Sequence, residues 1–424
     1  MSTLRIHKNR IIILICGFFI IATIYTYFYK ESTIISRYEL PWYQQSHGNF
    51  QTNGTTYTWT KEYYTIEELK QFANDYSSTA YQELLNKDEN SLIQQGIPGS
   101  ALRTKEQIES FRSKVNCWTQ KGSWQSKKIP LEQLLPHYQD PIYGQCDRQW
   151  IKKVKDETIP RPSTQYQWAP SSTCPSLSTP IQPDQWCKII YGRHTLMVGD
   201  LLQYQLHDLF LDALRDGPTI CYGELSCRDH SVCKKPKGAR LRYIRNDILS
   251  TIQKIDLNNG SPSGQIIEWP FISPRPLNSF KIVFVNRSPI LETDKTFIKE
   301  LTQSFIKIRE IQPNALIIYR SSIIGHPYCD EANAPIHPTK QPINKPHLPF
   351  GWSEYQHRNE LAKIITENIG GVYVDMHTSL DLRPDAHLGQ HDCSRFCMPG
   401  PLDTWALLFY NIFLELGPPP IEEV

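Results

Sequence analysis

The sequence predicts an α/β domain built on a central parallel sheet with helices on both faces. Three observations predict it. Short β-branched apolar runs alternate with helical patterns through the second half of the chain, the order that produces a parallel sheet. The runs are apolar throughout rather than on alternate residues, as in strands buried on both faces. One of them, His194-Thr-Leu-Met-Val198, stops at Gly199-Asp200 and passes straight into a helical pattern, Gln203 to Leu214. That is a buried strand feeding a tight turn and a helix.

At the N-terminal end, residues 11–28 are almost wholly apolar, about the minimum for a membrane-spanning helix. Arg5, His7, Lys8 and Arg10 precede the run, which keeps residues 1–10 in the cytosol by the positive-inside rule. Tyr25, Tyr27 and Tyr29 fall where an interfacial aromatic belt would lie. A cleaved signal peptide is the rival reading, but no small-x-small cleavage site follows the run. The expectation is a single-pass type II protein with its bulk in the secretory lumen.

Residues 29–114 are polar and aromatic and are expected to form a lumenal stem. Thr65-Ile-Glu-Glu-Leu begins like a capped helix, and Lys105 to Phe111 suggests another. The alternative is that this stretch extends the domain itself. The domain proper is expected over residues 115–416, with a short tail at 417–424.

Of 11 cysteines, Cys16 lies in the apolar span, which leaves ten in the lumenal part. An even number in an oxidising compartment makes disulfides the expectation. Cys221, Cys227 and Cys233 are close enough to suggest zinc, but they form no C-x-x-C pair and no His-x3-His follows, so no metal is expected. The net charge of +2 gives no reason to expect nucleic acid. Asn53, Asn259 and Asn286 head glycosylation sequons, the last of them at the end of an expected buried strand.

From Cys117 to Gly192 the chain is turn-rich, with Trp118, Trp124, Trp168 and Trp186 set among cysteines. These read as packing residues, with a sugar-stacking face as the alternative for one or two. After the helix to Leu214, Lys281–Asn286 forms the next strand. Thr293 caps a helix whose apolar face is Phe297, Leu301, Phe305 and Ile308, and Pro313 ends it. Ala315–Arg320 is a strand. Ser353-Glu-Tyr-Gln356 opens a helix that runs to Gly370-Gly371, and Val372–Asp375 is a strand. Pro401-Leu-Asp403 opens a last helix with Trp405, Leu408, Tyr410 and Phe413. Ligands of such sheets sit at the C-terminal ends of the strands. Gly199-Asp200-Leu201, Asn286-Arg287, Arg320 and Asp375 fall along that edge.

The segment Asp392-Cys-Ser-Arg-Phe-Cys-Met-Pro-Gly-Pro-Leu-Asp-Thr-Trp405 resembles the C-terminal signature D-C-S-H-W-C-L-P-G-x-x-D-T-W of the trichome-birefringence-like / PC-esterase family. Arg383-Pro-Asp385-Ala-His387 is similar to that family's R-K-D-G-H segment. Arg320-Ser321 with His326 matches its R-T-x-S-P-x-H spacing, with Ile323 and Ile324 in place of Ser-Pro. Gly192-Arg193 to Gly199-Asp200 resembles its G-K-R-L-M-F-V-G-D-S block. The resemblance covers about residues 115–416. It implies an SGNH-like three-layer α/β/α fold in a type II Golgi or endoplasmic reticulum membrane protein. It also implies acetyl transfer to polysaccharide hydroxyls, through a Gly-Asp-Ser nucleophile and an Asp-x-x-His base. An acyl donor such as acetyl-CoA or an acetylated carrier would be required only by an active enzyme; no other cofactor is implied.

Two positions depart from that chemistry. Leu201 stands where the serine would be, and a hydrocarbon side chain cannot attack an acyl carbon. Arg395 stands where the histidine would be, and a guanidinium stays protonated. Three functions follow. The domain binds cell-wall or surface glycan, or assists an active paralogue, without catalysis. Alternatively, it is an active O-acetyltransferase with an unorthodox site using His387 or His391 with Asp392. Lastly, it is a scaffold of glycan synthesis with no glycan site. The candidate catalytic residues are Asp392 and His387. The candidate substrate-binding residues are Gly199, Asp200, Asn286, Arg320 and Asp385. Gly199 and Asp200 also have a purely structural reading in the turn, Asn286 as a strand cap, and Arg320 and Asp392 in ion pairs.

Overall fold

The computed structural model describes residues 48–52, 55–59, 64–87, 93, 95–126, 145–215, 224, 228–249, 254–261, 264–272, 274–288, 290, 292–323, 325–326, 329–337, 355–389 and 392–419. The candidate span at 11–28 lies outside them. Among the described residues no helix is long and apolar enough to cross a membrane. The chain divides into two compact units at Thr65. In the first, β1 (Gly48–Thr52) and β2 (Thr55–Trp59) pair as an antiparallel hairpin.

The second unit begins with α1 (Ile66–Lys87), α2 (Lys105–Gln120), β3 (Gly122–Ser126), α3 (Gln145–Val154), β4 (Tyr166–Pro170) and α4 (Pro183–Ile190). Then come β5 (His194–Gly199), α5 (Leu201–Leu214), β6 (Asp229–Val232), β7 (Ala239–Arg245), β8 (Lys254–Ser261), β9 (Gly264–Glu268) and α6 (Pro274–Asn278). The remainder is β10 (Phe280–Val285), α7 (Asp294–Ile311), β11 (Leu316–Arg320), α8 (Tyr355–Asn368), β12 (Val372–Val374), α9 (His377–Leu380), β13 (His387–Gly389), β14 (Asp392–Phe396) and α10 (Pro401–Leu416).

Six strands form one sheet in the order β12-β11-β10-β5-β7-β6. Every neighbouring pair is parallel except β6 against β7. Side chains alternate across it. Met197, Phe284, Ile318 and Val374 pack with α2, α4, α5 and α10 on one face. Leu196, Val283, Ile317 and Tyr373 pack with α1, α7 and α8 on the other. Helices therefore cover both faces, which is why β5, β10, β11 and β12 carry no polar stripe.

Local signals place the helices. Thr293 caps α7 by accepting from Thr296 N–H, and the helix ends two residues before Pro313. Thr65 and Glu68 cap α1 reciprocally: Glu68 N–H donates to Thr65 Oγ1 at 3.2 Å and Thr65 N–H to Glu68 Oε2 at 2.7 Å. Leu69 and Ala73 of α1 are buried against α7 and α8, and Phe111, Val115 and Trp118 of α2 are buried in the opposite face. The stretch 65–114, drawn into the stem from sequence, therefore belongs to the domain. Its polar surface residues mask a thin apolar face.

Strand β7 was not read from the sequence: Ala239, Leu241 and Tyr243 alternate with Arg240 and Arg242 instead of forming an unbroken apolar run. It lies beside β5, with only the short antiparallel β6 beyond it. The disulfide expectation holds: Cys117–Cys174, Cys146–Cys397, Cys187–Cys233 and Cys329–Cys393 are bonded. Cys233 is thus removed from any zinc set, and Cys221 and Cys227 lie outside the described residues. Trp118, Trp168 and Trp186 are buried in the core. Trp124 is partly buried under the Arg383 guanidinium, 4.4 Å from its ring centre.

Candidate functional site

The chain leaves β5 for β7 on one side and reaches β10 on the other, so strand order reverses at β5. The crevice at such a reversal lies at the C-terminal ends of the strands. Gly199, Asp200 and Asn286 occupy this one. Gly199 has φ +155°, and a Cβ there would meet Asn286 Oδ1 at 2.3 Å. Glycine is what lets Asn286 reach under the turn. Asp200 N–H donates to Asn286 Oδ1 at 3.1 Å.

Asp200 is the N-cap of α5, its Oδ1 accepting from Gln203 N–H at 3.0 Å. The same oxygen pairs with Arg320 Nη2, and Arg320 Nε donates to Gln203 Oε1 at 2.7 Å. Asp200 Oδ2 accepts from Ser288 Oγ at 3.2 Å and from Asn286 Nδ2 at 3.4 Å. Tyr243 Oη donates to the Gly199 and Asp200 carbonyls at 3.1 and 2.9 Å. Asn286 Nδ2 also reaches Ser322 Oγ at 3.3 Å. Asn359 holds Ser322 in turn, accepting from its N–H and donating to its carbonyl, both at 2.8 Å. Arg320 and Asn286 are fully buried. A buried guanidinium and carboxylate at this density of hydrogen bonds are satisfied as a unit.

A second buried ion pair flanks the first. Arg245 Nε donates to Asp247 Oδ1 at 3.0 Å, and its Nη1 to Glu224 Oε1 at 3.0 Å. Burial pushes the Asp247 carboxyl up to about 6; Arg245 works against the shift, and the nearby Asp200 charge adds to it.

Leu201 is the first residue of α5 and is partly buried. Gln205, one turn further along the same helix face, grips β14. Its Nε2 donates to the Phe396 carbonyl at 2.6 Å, and Phe396 N–H donates to its Oε1 at 3.1 Å. The Asp392–Phe396 segment is thereby fixed to the helix that Leu201 begins. Within that segment Arg395 closes on Asp392, Nε to Oδ2 at 2.5 Å. Asp392 Oδ1 accepts from Ser394 Oγ and Arg395 N–H, each at 3.0 Å.

Asp385 and His387, candidate substrate-binding and catalytic residues, are both bonded within the protein. Asp385 accepts from Arg383 Nε and Nη2 at 2.8 and 2.9 Å, a buried bidentate pair. His387 is buried with both ring nitrogens committed: Nδ1 lies 2.9 Å from the Arg395 carbonyl and Nε2 lies 2.6 Å from His326 Nδ1. It has no nitrogen left to take a proton from a sugar hydroxyl. His391 lies outside the described residues. Asp375 is held at the start of α9, accepting from Thr378 N–H at 3.1 Å, Thr378 Oγ1 at 2.7 Å and Gln120 Nε2 at 3.0 Å.

Gln203, Gln205, Ser288, Ser322, Asn359 and Tyr243 complete the site and were not singled out from sequence. Ser288 stands two residues past Asn286 and Ser322 two past Arg320, so strand-end spacing was the available signal. Among the described residues one acid-and-thiol cluster has metal-ligand proximity, Cys329, Asp330 and Cys393, but its cysteines are joined as a disulfide. No family model matches the chain, and a search of curated proteins finds no relative.

Proposed function

We propose that this chain is a divergent, non-acylating protein of the trichome-birefringence-like / PC-esterase type, with an SGNH-like domain that binds cell-wall or surface glycan. In this reading it is a type II protein of the Golgi or endoplasmic reticulum membrane, and an active paralogue is its natural partner. The disulfides support a lumenal or secreted setting. The observation that carries the reading is the turn after β5. Its glycine, cap and Asn286 are built as a nucleophile turn needs, yet Leu201 offers no reactive atom. The base position agrees, since Arg395 is closed on Asp392. Losing nucleophile and base together removes most of the rate such a constellation supplies.

The test uses the full chain in detergent. Acetate release from a chromogenic acetyl ester, and transfer to xylan, mannan and chitin oligosaccharides, are measured for the natural protein and for Leu201→Ser/Arg395→His. Oligosaccharide binding is measured alongside. The expected result is an inert natural protein that binds one glycan class, and a double variant that gains ester cleavage. Turnover by the natural protein would sink the reading. An inert double variant and no glycan binding would favour a scaffold instead.

A further inference from the structure

We infer that His326 and His387 share one bound proton between their rings, and that this proton ties the segment after β11 to the β13–β14 hairpin. The inference is independent of the function proposed above.

It follows from counting hydrogens. His387 Nδ1 faces the Arg395 carbonyl at 2.9 Å, and His326 Nε2 faces the Asp381 carbonyl at 2.7 Å. A carbonyl only accepts, so both outer nitrogens carry hydrogen. Two neutral rings would then present bare lone pairs from His326 Nδ1 and His387 Nε2. Those two atoms are 2.6 Å apart, and both rings are buried. Opposed lone pairs at that distance repel, so a third proton between them is required. Zinc cannot replace it. At Zn–N distances of about 2.0–2.1 Å, two nitrogens on one ion stand more than about 3 Å apart.

The surroundings suit a monocation. Asp381 Oδ1 lies 3.5 Å from His326 Nε2. From the neighbouring 3-10 turn, Asp330 approaches Gly389 and Glu331 is exposed. Arg383 and Asp385, just before β13, neutralise each other, as do Asp392 and Arg395 of β14. The Phe396 ring stacks on His387 with centres 4.3 Å apart. The contact matters mechanically because His326 N–H also donates to the Cys393 carbonyl at 2.9 Å, and Cys329 is bonded to Cys393. The ring pair closes the same joint from its other end. Removing the shared proton leaves the two lone pairs opposed at that distance, so the joint loosens when base takes that proton away.

The experiment is hydrogen–deuterium exchange of the full chain in detergent at pH 6, 7 and 8.5, with β13–β14 peptides normalised to β10. It is run on the natural protein and on His326→Gln, whose amide can donate to His387 Nε2 without an extra proton. The natural protein is expected to lose at least tenfold in normalised protection between pH 6 and 8.5, and the variant to lose less than threefold. A flat profile in the natural protein overturns the inference, and that readout stands even if the variant does not fold. Stoichiometric zinc whose chelation releases the hairpin also overturns it.

Discussion

The turn after β5 and the β13–β14 hairpin are linked through Gln205 of α5, and they are built differently. The turn draws partners from three strand ends, with Asp200, Asn286, Arg320 and Ser322 bonded across β5, β10 and β11. The charged side chains in and just before the hairpin pair with near neighbours instead. Arg395 takes Asp392 three residues away, and Asp385 takes Arg383 two residues away. Side chains that hold distant strands together reach across the fold, whereas a pair within one hairpin ties only that hairpin. The contrast implies that the turn carries far more stability than the partly exposed Asp392–Arg395 pair of the hairpin.

The sharpest way to break that contrast is Arg320→Leu, which leaves Asp200 largely buried without its cation. Removing one partner of a buried pair costs about 3–5 kcal/mol. The double variant Arg320→Leu/Asp200→Asn should recover a good part of it. Denaturant unfolding measures both. A loss below about 1 kcal/mol for the single variant, on the scale of an exposed pair, would mean the turn is held by backbone alone.

Next in size, Cys329→Ser/Cys393→Ser removes the covalent half of the joint between the hairpin and the segment after β11. The bond closes 64 residues. Its loss should cost about 2–4 kcal/mol in thermal or denaturant unfolding, by the loop-closure argument. If the hairpin's own ion pairs anchored it, the double variant would unfold like the natural protein.

Acid should then separate the two regions. His207 lies buried on α5, below the turn, and burial holds its imidazole down at about 4. An unfolded histidine takes up a proton near 6.5, so the unfolded state binds more protons than the folded state between those values. Stability falls as pH drops through that window, by up to about 3 kcal/mol. His207→Gln should flatten this limb in unfolding curves between pH 6.5 and 4. The hairpin joint responds in the opposite sense, strengthening in acid, so acidification weakens one region and tightens the other. An unchanged acid limb in the variant would remove His207 as the cause.

How much of this was legible follows the same division. Strands β5, β10, β11 and β12 and helices α5, α7, α8 and α10 announce themselves through apolar runs and caps. The chemistry that forms them is local. The Gly199-Asp200 turn was readable for that reason, as was Asn286 at a strand end. Arg320's partner was not, because 120 residues separate it from Asp200. The His326–His387 contact spans 61 residues and depends on a hairpin bend at Gly389, where φ is +72°. Asp385 looked like a ligand because its bond to Arg383 leaves no sequence mark beyond adjacency. Strand β7 was missed because its arginines break the unbroken apolar run by which the other parallel strands were read.

The smallest effect is the one that tests the hairpin's ion pair directly. Arg395→Ala removes the partner of Asp392, but both side chains are about a quarter exposed, so water replaces what the guanidinium supplied. Asp392 also keeps Ser394 Oγ and two backbone N–H donors. A partly solvated pair of this kind is worth about 0–1 kcal/mol. Unfolding of Arg395→Ala should therefore sit within about 1 kcal/mol of the natural protein, and its salt dependence should be slightly weaker. A loss of 3 kcal/mol or more, on the order expected for a buried pair, would make the hairpin as deeply integrated as the turn. Arg395 would then act as a structural strut of the hairpin.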